Sequence, residues 1–162
     1  MTESQIKNIF FAIISCLLFF CDIILFASMQ SCKIHLLLCF FITLINKPYQ
    51  NRTIVFPLLL LSIFSYLQIN IFGWSLTYVI PSMLVTHYLQ QHLHVKNVIP
   101  YTVLIFALTL QNLLNFYLHA IATSYQNFAY TVAYNCIFIT VMITMISYIQ
   151  TKLETMREKI ML

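Results

Sequence analysis

Residues 56–90 read FPLLLLSIFSYLQINIFGWSLTYVIPSMLVTHYLQ, and this stretch decides the fold. It consists of two membrane-length apolar runs that meet at Gly73, the single glycine of the chain, beside Trp74, its single tryptophan. About 20 apolar residues in helical conformation cross the hydrocarbon core of a bilayer. The segments on either side can be cut the same way. Hydrophobic residues make up 61% of the 162 positions and charged residues only 7%, with a mean hydropathy of +0.88. A soluble domain carries roughly a quarter charged residues. A transmembrane β-barrel needs many short alternating segments and turns, which one glycine and four prolines do not supply. The composition therefore predicts a single all-α polytopic membrane domain.

Outward from the central stretch, the sequence divides into six expected spans, at about 8–29, 32–45, 53–69, 74–90, 100–122 and 128–149. The second is short for a full crossing. Polar breaks separate them: NKPYQNR at 46–52, the turn at 70–73, QHLHVKNVIP at 91–100 and SYQN at 124–127. Pro81 is expected to kink the fourth helix, and Pro100 to sit in the first turn of the fifth. Residues 150–162 form a polar tail that can extend the last helix as an amphipathic segment. The first apolar run is too long for a signal-peptide core and lacks a small-residue cleavage site, so it is read as a retained helix.

The eight Lys and Arg residues follow this division. Lys7, Lys47, Arg52, Lys96, Lys152, Arg157 and Lys159 fall on one side of the six-span arrangement, and Lys33 alone on the other. The positive-inside rule then places both termini in the cytoplasm. The same distribution accounts for the net charge of +4 without a nucleic-acid partner. Trp74, in the turn after the third span, is expected at the outer interface, where indole combines an apolar body with a hydrogen-bonding edge. The lipid bilayer is the first partner implied.

Few polar residues interrupt the spans. Asp22 is the only acidic residue within one, since Glu3, Glu154 and Glu158 are terminal. A carboxyl group at that depth needs a partner, a proton or water. Two readings stand: a partner site, proton-linked site or ligand contact, or a structural group near the outer boundary bonded to a neighbouring Ser or Thr, with Lys33 as the nearest counter-charge. On the fifth span Gln111, Asn115 and His119 recur every four residues and share a helix face. Such a stripe either bonds helices together or lines a ligand cavity. His87, His92 and His94 cluster at the end of the fourth span. No cysteine or carboxylate accompanies them to complete a metal site, and they read as interfacial histidines. The five cysteines, at 16, 21, 32, 39 and 136, have no zinc-like spacing; four lie within apolar runs and act as small hydrophobes, while Cys32 lies near a membrane edge, where a thiol can pair or be modified. No phosphate-binding glycine loop or nucleophile–base spacing is present, so neither an enzyme nor a cofactor is expected.

The segment PLLLLSIFSYLQINIFGWSLTYVIPSMLVTHYLQQHLHVK resembles the rod shape-determining protein MreD family. It has the family's outline of an apolar helix, a turn glycine at Gly73, and a second helix closed by Gln90, Gln91 and Lys96. The resemblance covers about 40 residues specifically, and the rest in length, hydropathy and span count. The chain departs from it at Ser65, where the family often has an aspartate. The resemblance implies a non-enzymatic subunit of the bacterial inner membrane, within the cell-elongation machinery that builds peptidoglycan. Its partners would be an MreC-like bitopic protein, MreB, and RodA with its transpeptidase. It also implies a fold similar to the substrate-binding subunits of energy-coupling-factor transporters. The alternative function is therefore a vitamin-capturing transporter subunit, with Asp22, Trp74, Asn115 and His119 converging on an outward pocket. On either reading, Asp22, Gly73, Trp74, Gln111, Asn115 and His119 are the candidate partner- or ligand-binding residues.

Overall fold

The computed structural model describes residues 3–28, 34–46, 51–69, 71, 73–93, 96–119 and 124–161, and these contain six α-helices and no strand. They are α1 (Glu3–Ser28), α2 (Leu36–Ile45), α3 (Asn51–Ile69), α4 (Leu76–His92), α5 (Ile99–His119) and α6 (Tyr125–Met161). Three carry a stretch long and apolar enough to cross a membrane: Asn8–Ala27, Ile99–Tyr117 and Tyr125–Ile149. The chain is thus an all-helical protein with the features of a multi-pass membrane protein. Six helices agree with the sequence reading, but only half of them meet the length and hydropathy of a full span. Pro100 lies in the first turn of α5, as its missing N–H favours. Pro81 lies inside α4, which is helical on both sides of it.

The outer surface is apolar. Ile13, Leu17, Phe20 and Ile24 stand exposed along α1, and Ile137 and Val141 along α6. This is the arrangement of a protein solvated by lipid. Tyr125 (91% exposed) and Tyr148 (66%) lie near the two ends of the α6 span. At the α-helical rise they are about 34 Å apart along the axis, close to the ~30 Å thickness of the hydrocarbon core. Both rings stand where interfacial tyrosines are favoured. Beyond Tyr148 the helix does not stop. No glycine or proline falls between Tyr125 and Met161, and the tail expected at 150–162 continues α6 to Met161.

The centre of the fold is α2. Its ten residues, LLLCFFITLI, are apolar all round, as expected of a helix buried on every side. Every residue from Leu36 to Leu44 is buried, and α2 packs against α1, α3, α5 and α6. At ~15 Å it reaches only half-way through a hydrocarbon core. The second expected span is therefore a short buried helix rather than a full span, shorter than 32–45, of which 32 and 33 lie outside the described residues. A bilayer tolerates a backbone end where protein, not lipid, surrounds it, as it surrounds α2. Leu37, Leu38, Phe41 and Ile42 of α2 form the main core with Leu61 of α3, Trp74 and Val79 on the α4 side, Val103 and Ala107 of α5 and Ile139 of α6. Near the other end of α1, a smaller cluster joins Phe11, Phe40, Leu44, Met142 and Ile146.

Gly73 has φ +79, a left-handed conformation that favours glycine, and it sets up the turn into α4. A Cβ there would meet only Leu76 Cδ1, at an ordinary 3.5 Å. The penalty for Gly73→Ala is then purely conformational, about 1 kcal/mol, and is expected to lower the melting temperature in detergent by roughly 2–4 °C. An unchanged melting curve would show that the turn relaxes freely. The turn also fixes Trp74, which is only 9% exposed and packed in the main core. It is a core anchor rather than the ring presented to the interface that the sequence suggested, because the turn directs it into the main core.

Candidate functional site

A helix that begins inside a membrane leaves its first N–H groups without intrahelical acceptors. In α2 three of these groups, on His35, Leu36 and Leu37, are met from two other helices. The two carboxyl oxygens of Asp22, on α1, accept from the N–H of Leu36 at 2.8 Å and of Leu37 at 2.9 Å. Asn135, on α6, accepts the His35 N–H through Oδ1 at 2.8 Å. Its Nδ2 donates to the Thr131 carbonyl at 2.7 Å, and its Oδ1 also lies 3.5 Å from Cys39 Sγ. Asp22 is 1% exposed and Asn135 fully buried. The helix dipole points its positive end at the carboxyl group. Asp22 is thus the N-cap of another helix, supplied from 14 residues away. The structural reading from sequence had bonded it to a Ser or Thr. Backbone donors take both oxygens instead, and Lys33 lies outside the described residues.

The other end of α2 is closed too. Asn46 Nδ2 donates to the Ile42 carbonyl at 2.8 Å, and Gln90 Nε2 on α4 reaches the Ile45 carbonyl at 3.4 Å. Five buried hydroxyls are satisfied within their own helices. Ser15, Thr43, Ser82, Thr86 and Thr131 each donate to the carbonyl four residues earlier, at 2.6–2.9 Å. This back-bonding leaves them no need of a ligand.

Beside the head of α2 is a small polar cleft between α5 and α6, lined by His35, Leu108, Gln111, Asn112, Asn115, Phe128 and Thr131. The stripe expected on α5 is therefore turned toward α6, but Gln111 and Asn115 make no side-chain hydrogen bond to it. Gln111 is 7% exposed and Asn115 Oδ1 is buried without a partner. Thr131 and Asn135 are the α6 residues that sequence reasoning missed. Their signal was present, since two polar residues four apart inside an apolar run share one helix face. His35 was also missed, for it precedes α2 with no motif around it. The backbone of His119 ends α5, and its side chain lies outside the described residues. Gly73 and Trp74 stand at the turn into α4 and do not line the cleft. The six candidates thus divide: Asp22 serves the fold, Gly73 and Trp74 shape a turn and a core, Gln111 and Asn115 meet in the cleft, and the His119 side chain lies outside the described residues.

Comparison with protein-family models, curated proteins and solved structures gave no match. The chemistry must be read from the geometry alone. Among the described residues no group of three His, Cys, Asp or Glu stands close enough to hold a metal ion. His87 and His92 are exposed at the end of α4. His87 Nε2 lies 3.0 Å from Gln91 Nε2, and the His92 ring 4.4 Å from that of Tyr88. His94 lies outside the described residues. The cleft has room for about 30 Å³, whereas sites for drug-sized molecules run to roughly 300–1,000 Å³.

Proposed function

We propose that the chain is a non-enzymatic scaffold subunit of a bacterial inner membrane, with both termini cytoplasmic. On the resemblance to MreD, its partner would be an MreC-like bitopic protein, and through it MreB and RodA with its transpeptidase. The observation that carries the scaffold reading is the single helix α6, which runs to Met161. Its last 12 helical residues extend ~18 Å beyond Ile149, a rigid arm on the side where the sequence concentrates Lys and Arg. The buried stripe Ile139, Met142 and Ile146 continues in the sequence as Ile149, Leu153, Met156 and Ile160. Spacings alternating between three and four residues suit helix-to-helix packing outside the bundle.

The transporter alternative has less support. Asp22, its central candidate, is occupied by α2, and the cleft is an order of magnitude too small for a vitamin in this conformation. Purification of the tagged chain in gentle detergent tests the proposal. The full chain is expected to retain a bitopic partner. A version ending at Ile149 is expected to insert normally yet lose that partner by about tenfold or more, equivalent to at least ~1.4 kcal/mol of binding. Recovery of ATPase subunits with the full chain, or of the bare monomer, counts against it.

A further inference from the structure

We infer that the cleft between α5 and α6 is a binding site for water, one or two molecules reached from the end of the bundle where α5 stops and α6 starts. This rests on the chain spanning a membrane and not on the scaffold reading. Gln111 stands about 12 Å, and Thr131 about 9 Å, inside the described ends of their helices. That depth lies within the hydrocarbon layer, which offers neither donors nor acceptors. Gln111 is nonetheless 93% buried and makes no side-chain hydrogen bond to another described residue, and Asn115 Oδ1 is buried beside it without a partner. His35, Asn112 and Thr131 complete the polar part of the lining, Leu108 and Phe128 form the apolar part, and no carboxylate, Lys or Arg lines it.

Size selects the ligand. A polar cavity holds a water once about 10–15 Å³ is open to it, and the cleft offers about 30 Å³. A lipid chain would leave both amides unsatisfied, and an ion would find no opposite charge. Water makes two to four hydrogen bonds to groups of this kind. It would bridge the α5 amides to the first residues of α2, so that the head of the central helix is hydrated within the outer part of the layer.

Thiol accessibility tests the site in intact membranes, with a small charged methanethiosulfonate added on the α5–α6 turn side and modification read peptide by peptide. Thr131→Cys and Asn115→Cys lie in the cleft on different helices, so one reports if the other fails to fold. Ile137→Cys is the lipid-facing control, its side chain being 60% exposed on the outer surface. Thiolate is the reactive form and is suppressed in apolar surroundings. One pKa unit is a factor of ten in thiolate, so both cleft thiols are expected to react at least about tenfold faster than the control. Gln111→Leu should slow the Thr131→Cys reaction by a similar factor. Equal rates at all three positions would overturn the inference, since the cleft would then be dry or filled by lipid. A second measurement uses the unaltered protein: magnetisation transfer from water should reach the Gln111 and Asn115 side-chain amides, and no transfer to either also refutes a water site.

Discussion

Asp22→Ala is expected to destabilise the protein by about 3 kcal/mol, because it strips the acceptors from two buried N–H groups at once. Each orphaned buried donor costs about 1–3 kcal/mol, and Asp22 supplies the acceptors of both the Leu36 and Leu37 N–H groups. In thermal unfolding in detergent this corresponds to a fall of roughly 6–12 °C. Asp22→Asn should fall in between. The amide keeps one acceptor oxygen, but its NH₂ group then faces a backbone N–H. The size of the effect follows from the solvent. In water, the apolar surface of α2 would itself hold the helix inside. In lipid, Leu, Phe and Ile side chains gain little by leaving one apolar medium for another, so packing and polar contacts fix the helix. Asp22 is then the group that specifies where α2 begins. An alanine variant that melts with the parent protein would show that the cap is dispensable.

The long elements were legible because their signal is one-dimensional. Apolar runs of membrane length gave α1, α5 and α6 to within a few residues at most ends. Their departures have local causes. At the start of α1 the polar residues from Glu3 onward remain helical, and α6 continues because no residue between Ile149 and Met161 breaks a helix. The short helix α2 was legible as a helix but not as the centre of the fold. Its all-apolar sequence was the cue, and hydropathy alone does not distinguish a neighbour made of protein from one made of lipid. Asp22 stood out as the lone acid in a span. Its partners did not, because a backbone N–H has no identity in sequence and the helix it caps lies across a loop. Asn135 was overlooked for a related reason. Amides on α5 formed an evident stripe, while on α6 a single amide and a threonine passed as ordinary polar interruptions. The site candidates therefore differ in distances and burial, which spacing along the chain does not encode.

Asn135→Ala is expected to cost about 2 kcal/mol alone, and less than that in a protein already lacking Asp22. Asn135 accepts the His35 N–H, and its own Nδ2 is held by the Thr131 carbonyl. Removing it orphans one buried donor, in the range of 1–3 kcal/mol. The three N–H groups capped by the two residues are consecutive, at 35, 36 and 37. If the caps hold a single turn, losing Asp22 frees that turn, and the bond from Asn135 has little left to fix. The double-mutant cycle should then show a coupling of at least ~1 kcal/mol, within the range found for residues sharing one network. Strict additivity would mean that α1 and α6 hold the head of α2 independently. Coupling would mean that two outer helices share one internal helix end, so that displacing either outer helix loosens α2 for both. A scaffold that senses a partner along α6 would need a joint of this kind, because α2 packs against α6 and α1 alike.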